Sequence, residues 1–213
     1  MKVIENITIA GLFGRFARGS LWSGIGAFLS MFIGLCTWII VPVLLGPAKY
    51  GVLGIIQSTI GIFGVFAGMG MGLTSTKYIA EFKNSNSERA GKILALTGVV
   101  AWISGLAMML TVIFFAPLLV NRYLSDIGEG VFLIRMGSFL LLIGSINGAQ
   151  AGALMGFEAF KKLAFLNIVS AFSMLFCLTI GVWRWEVSGA VAGLVISGTV
   201  SYTHLTLPTI YSV

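Results

Sequence analysis

Arg135 is the one charged residue that falls inside a long apolar run of the chain instead of at its edge. An arginine in hydrocarbon costs about 2.5 to 3.5 kcal/mol on insertion scales, and residues that bear this cost usually face the interior of a helix bundle. Arg135 also lies about one turn from the end of its run, so snorkelling to the membrane surface accounts for it equally well. Asn147 and Gln150 follow in the same run. Helical geometry brings Gln150 round to roughly 60° from Arg135. Polar groups along one sector of a helix suit a hydrophilic lumen. Gln57 and Asn167, single polar residues in two other runs, either join that lumen or bond across helices.

Arg15 and Arg18, at i and i+3, share a helix face that would meet phosphates at the inner leaflet. As topology anchors they need no further role. If they do more, a guanidinium fork suits diphosphate oxygens better than a lysine does.

Chemistry of other kinds finds no support. The only histidine, His204, lies in an atypical tail, and the outer-side acids Asp126, Glu129 and Glu186 belong to no motif and to no apolar run. A hydrolase or transferase needs clustered acid, base and nucleophile, and neither a phosphate-binding loop, a zinc spacing nor a nucleophile elbow is present. The reading is a protein that is not an enzyme, with no cofactor and no metal. Cys36 and Cys177 sit in apolar runs and read as small buried hydrophobes.

The elements that position these residues follow from composition. The 213 residues are 58% hydrophobic and 9% charged, with a mean hydropathy of +1.02, whereas soluble domains carry about 25% charged residues. This is an all-α polytopic membrane protein. The net charge of +6 is explained by lysines and arginines that fix topology, so nucleic acid is not a partner. About 20 apolar residues cross a bilayer. The sequence predicts about six transmembrane helices, near 20–45, 51–72, 91–116, 131–154 and 161–183, with an incomplete sixth at 187–199.

Gly46 and Pro47 end the first span and force a tight reversal, while Pro42 is expected to kink it. Asn86 or Ser87 is placed to cap the third. Small residues recur along the spans: Ser23, Ser30 and Thr37 with Gly26 and Gly34; Gly54, Ser58, Gly61, Gly68 and Gly72; Gly144, Gly148, Gly152 and Gly156; Gly189, Gly193 and Ser197. They serve either tight helix packing or the walls of a water-accessible cavity.

With the N-terminus in the cytoplasm, Lys2, Arg15, Arg18, Lys77, Lys83, Arg89, Lys92, Lys161 and Lys162 fall inside, and Lys49, Arg122 and Arg184 outside. This bias predicts an N-in, multi-pass protein of the cytoplasmic (inner) membrane. The N-terminal apolar stretch, broken at Arg15, reads as an amphipathic lead-in on the inner leaflet and not as a cleaved signal.

The ending VSYTHLTLPT, residues 200–209, resembles the in-frame translation of a transposon-end sequencing adapter. Residues 200–213 are therefore expected to be a non-native tail that interrupts the sixth span, leaving 1–199 as an N-terminal transmembrane lobe that is inactive alone.

Three stretches in order, LLGPAKYGVLGIIQST, GMGMGLTSTKYIAEF and LMGFEAFKKLAFLNIVSA, resemble the N-terminal half of the oligosaccharide and polysaccharide flippases of the MOP superfamily, which includes MATE exporters and lipid II flippases. The resemblance implies the N-terminal lobe of a MATE/MOP-type two-lobe fold around a central cavity. It implies translocation of an undecaprenyl-diphosphate-linked oligosaccharide for polysaccharide or O-antigen biosynthesis. Arg135 would meet the diphosphate, with Arg15 and Arg18 second, and Asn147, Gln150 and Gln57 would complete the substrate wall. The implied partners are the lipid-linked oligosaccharide, membrane lipids, a polysaccharide polymerase and glycosyltransferases. The alternative is a MATE-type cation-coupled multidrug antiporter, which needs a membrane-embedded acid that the five complete spans lack.

Overall fold

The computed structural model describes residues 2–123 and 128–210, with side chains for 24–122, 128–201 and Thr203. Every element in it is helical. In order they are α1 (Lys2–Gly68), α2 (Met71–Phe82), α3 (Ser87–Tyr123), α4 (Gly130–Gly156) and α5 (Phe160–Ile210). Four segments are long and apolar enough to cross a membrane: Gly24–Phe82, Ser87–Arg122, Gly130–Gly156 and Phe160–Ser201.

The first and second spans expected from sequence follow one another with no loop between them, only a break in the helix, and so do the fifth and sixth. The reversals are made by one or two residues, leaving no polar loop to mark them. In α1 the break is Gly46, at φ 74° and ψ 167°, a conformation open to glycine and costly for other residues. Pro42 keeps helical dihedral angles. In α5 the break falls at Trp185 and Glu186, and Glu186 takes φ 54°. A salt bridge from Lys49 to Glu186 ties the two breaks together.

Contact registers fix the helix directions. Within α5, Gly181 meets Gly189, Gly193 meets Cys177 and Ser170 bonds Ser201 at 3.0 Å. The two numbers of each pair sum to nearly the same value, so the legs of α5 run antiparallel as a hairpin. Ile60 against Gly137, Leu141 against Gly64 and Ile79 against Gly156 instead share a constant offset, so the second leg of α1, continued by α2, runs parallel to α4. Ser104 to Ala67 and Ser145 to Ala101 place α3 antiparallel to both. Gly26 lies on Ala164, and this contact with the Lys49–Glu186 bridge aligns the first legs of α1 and α5. Leu154, Leu163 and Leu166 cluster at the α4–α5 turn, which makes α4 antiparallel to the first leg of α5. The chain therefore doubles back at Gly46 as well.

A second departure lies in the expected span 51–72. Met69 and Gly70 both have positive φ, and they end α1 at Gly68. The helix resumes as α2 and carries the same register to Phe82, past the expected end. Asn86 caps α3, its Oδ1 accepting from the Arg89 amide at 2.9 Å. The backbone of α5 is helical through Ile210, with no break at residue 199 or 200.

Val41, Leu45, Leu53, Ile56, Val112, Leu133, Ile134, Leu141, Leu178 and Val191 form the main core. Outside it, large apolar side chains point away from the bundle, with Leu73, Phe114 and Val43 nearly 80% exposed. Such an apolar exterior is suited to lipid.

Gly152 is where α4 meets α2 backbone to backbone, and a Cβ there would fall on the Gly72 carbonyl. Gly144, on the same helix, faces open space. Gly152→Val should therefore cost about 1 to 3 kcal/mol through overpacking, lowering the thermal unfolding midpoint of the purified protein in detergent. Gly144→Val should leave it within about 0.5 kcal/mol of wild type.

Candidate functional site

The interior polar groups of the bundle are mostly hydroxyls that join helices. Ser75 donates to Thr97 Oγ1 at 2.9 Å, Ser104 to the Ala67 carbonyl at 2.7 Å, Ser145 to the Ala101 carbonyl at 2.9 Å and Thr76 to the Gly152 carbonyl at 2.9 Å. Bonds of this kind hold membrane helices together with modest energy, about 0.6 kcal/mol each. The polar stripe of the first leg behaves differently. Ser30 and Thr37 bond back to carbonyls of their own helix, at Gly26 and Ile33.

The small residues likewise divide into two sets. Gly72, Gly152 and Gly156 are closed against neighbouring backbone or side chains, as are Gly189 and Gly193, so these serve packing. Gly54, Gly61 and Gly144 have open space where a Cβ would stand.

Among the residues singled out from sequence, α4 carries three. Arg135 is exposed, and its Nε donates to the Ile113 carbonyl of α3 at 3.4 Å. Phe132 and Phe139, one turn to either side, are also exposed. Asn147 is half-buried and turns the other way, its Nδ2 donating to the Gly198 carbonyl of α5 at 3.2 Å. Gln150, one turn further, is half-buried. At 1.5 Å per residue, Arg135 stands about 18 Å from Asn147 and about 22 Å from Gln150 along the axis. The structure thus brings Asn147 and Gln150 together but sets Arg135 apart, towards the other end of α4.

Gln57 is half-buried on the second leg of α1. The α1–α4 offset puts it level with Ile134. Asn167 is exposed on α5. Arg15 and Arg18 belong to α1, but their side chains lie outside the described residues, as do those of Asp126 and His204.

Charge is segregated to the two ends of the bundle. One end gathers Lys77, Lys83, Arg89, Lys92, Lys161 and Lys162, and the other Lys49, Arg122 and Arg184, where Glu129 and Glu186 also lie. At the basic end Lys83 pairs with Glu158 at 2.7 Å, and Arg89 packs over the Phe82 ring at 4.4 Å. Sequence reading did not single out Lys83 and Glu158 as a pair. Lys83 directly follows the second quoted stretch and Glu158 lies near the start of the third, and the fold brings the two together.

A lobe of apolar antiparallel and parallel legs, with the described charges other than Arg135 gathered at its ends, has the architecture of half of a MATE-type fold. Three solved structures share this architecture. An outward-facing multidrug resistance MATE family transporter of the MOP superfamily aligns with a TM-score of 0.74 and 21% identity, over 92% of this chain and 45% of its own. A MATE protein in complex with Br-NRF gives 0.74 and 18%, over 93% and 47%. A MATE protein in complex with MaD5 gives 0.76 and 19%, over 90% and 44%. The chain thus spans less than half the length of each. No curated protein sequence matches the chain closely enough to count as a relative. The sequence pattern of the polysaccharide biosynthesis protein family covers residues 16–207, and the chain belongs to that family. It is a membrane protein of that family whose fold is that of half a MATE transporter.

The Lys83–Glu158 pair joins α2 to the α4–α5 turn, with the Lys83 side chain only 15% exposed. The Lys92–Glu88 pair lies along one helix and is largely exposed at both partners. Lys83→Met should lower the thermal midpoint measurably, by about 1 kcal/mol, whereas Lys92→Met should cost less than about 0.5 kcal/mol.

Proposed function

We propose that the chain is the first lobe of a flippase that carries an undecaprenyl-diphosphate-linked oligosaccharide across the cytoplasmic membrane during polysaccharide biosynthesis. The observation that carries this reading is the family match over residues 16–207, and the likeness to half of a MATE fold supports it. The two legs of α1, the two legs of α5, and α3 and α4 make six crossings. The end with Lys77, Lys83, Arg89, Lys92, Lys161 and Lys162 faces the cytoplasm, because lysine and arginine are retained there during insertion. That orientation puts the N-terminus inside.

In this reading Arg135 meets the diphosphate as it reaches the outer half of the membrane, and Arg15 and Arg18 meet it at the inner leaflet. Asn147, Gln150 and Gln57 contribute uncharged polar contacts. A polymerase and glycosyltransferases consume and supply the glycan.

A MATE-type antiporter for cationic drugs is the second reading, favoured by the fold likeness. Ion coupling in such a pump calls for an acid within the membrane. The described acids Glu81, Glu88, Glu129, Glu158 and Glu186 all lie at the ends of the helical legs.

The full-length protein, carrying both halves, can be expressed in a host deprived of its own flippase. The wild type should restore surface glycan. Arg135→Ala, at equal protein level by immunoblot, should reduce export by about tenfold or more through loss of charge-assisted hydrogen bonds. Export at wild-type level would remove Arg135 from the mechanism, and efflux of a cationic dye without glycan export would favour the antiporter.

A further inference from the structure

We propose that the flank of α4 carrying Asn147 and Gln150 is a subsite for sugar hydroxyls, distinct from whatever holds the diphosphate; this rests on the flippase reading above. Asn147 Oδ1 and Gln150 Oε1 are shielded from solvent and have no hydrogen-bond partner. Buried polar atoms are nearly always paired, and an unpaired acceptor in a low-dielectric interior is costly. Two of them on successive turns of one membrane helix call for a donor that the bundle itself does not supply.

The chemistry of that donor follows from what surrounds them. The Asn147 amide is oriented by its own bond, since Nδ2 donates to the Gly198 carbonyl. Turning it over would set two carbonyl oxygens against each other. The open group at Asn147 is therefore a neutral acceptor, and that at Gln150 is an uncharged amide. A metal ion would need several more oxygens, and among the described residues no group of His, Cys, Asp or Glu side chains could hold one. The neighbouring hydroxyls give their protons elsewhere, Ser145 to Ala101 and Leu142 and Ser197 to Leu194, so they do not supply the missing donor. The charged residue on α4 nearest in sequence to Asn147, apart from the terminal Glu158 turn, is Arg135, about 18 Å away along the axis. What remains is a neutral ligand rich in hydroxyl or amide N–H groups, as a glycan is. The distance from Arg135 leaves room for several sugar units between a diphosphate there and hydroxyls here.

The test is a thermal-shift titration of the full-length protein, carrying both halves, in lipid nanodiscs with two probes, undecaprenyl diphosphate and its N-acetylglucosaminyl derivative. The wild type should bind the sugar-bearing lipid more tightly than the bare one. Asn147→Leu with Gln150→Met should remove that preference, weakening the sugar-bearing lipid by about tenfold and leaving the bare lipid unchanged. Gln150→Met alone deletes an acceptor that has no partner, so it should fold at least as stably as wild type and still lose part of the preference. A preference kept in both variants would overturn the subsite, as would its absence from a wild type that binds the bare lipid. Binding of neither lipid would overturn the flippase reading itself.

Discussion

The close approach of Gly72 to Gly152 governs the rest of the lobe. In lipid no hydrophobic force draws helices together, so association depends on backbones that come near enough for dispersion and short polar contacts. The absence of a Cβ at Gly152 lets the Gly72 carbonyl face its Cα, and the absence of one at Gly72 admits the Gly148 carbonyl. Thr76 adds a hydrogen bond to the Gly152 carbonyl, and Lys83 bonds to Glu158 where the pair of helices ends. Once α2 is held parallel to α4, α3 must run back between their ends. The hydroxyls of Ser75, Thr97, Ser104 and Ser145 then fall at its contacts with both neighbours.

The two hairpins depend on this centre from outside it. The first leg of α1 exposes most of its residues, and of its small-polar stripe Gly26 touches Ala164 while the hydroxyls of Ser30 and Thr37 turn inward on their own helix. The first leg of α5 is joined to the second through Gly181, Gly189 and Gly193. Lys49 and Glu186, both partly exposed, link the two turns by an ion pair of the kind that contributes little energy. The apolar core itself draws on both legs of α1, on α3 and α4 and on the residues around the α5 break, so the hairpins are packed into the lobe at the end where they turn.

Much of this was legible because hydropathy and glycine punctuation are strong signals. The apolar runs, the reversal at Gly46 and the Asn86 cap each follow from residue type alone. The Met69–Gly70 break did not, since neither residue interrupts the hydropathy of its run and a positive φ at methionine is a product of packing. Nor was it legible which glycines touch a neighbour: Gly144 and Gly152 are equivalent in pattern, yet one is open and the other closed. Arg135, Asn147 and Gln150 could be placed on one helix and one broad sector. Their neighbours, α3 for Arg135 and α5 for Asn147, are set by the tertiary fold, and sequence spacing is blind to them.

The separation of Arg135 from Asn147 bears on how an amphiphilic substrate would be held. A single point of recognition at mid-membrane has to desolvate charge and sugar together, at the depth where unpaired charge is most expensive. Distributing recognition along α4 avoids this. A cation stands towards one end of α4, where a guanidinium can remain partly hydrated, while the neutral amides lie towards the other end, where hydroxyls can be paired without transferring a charge. Arg135 keeps one bond, to the Ile113 carbonyl, which orients the guanidinium and leaves its other N–H groups available. In the proposed flippase, exchange of a diphosphate at Arg135 would need only side-chain motion, whereas the donor missing at Asn147 and Gln150 would be brought by a ligand that enters the α4–α5 seam.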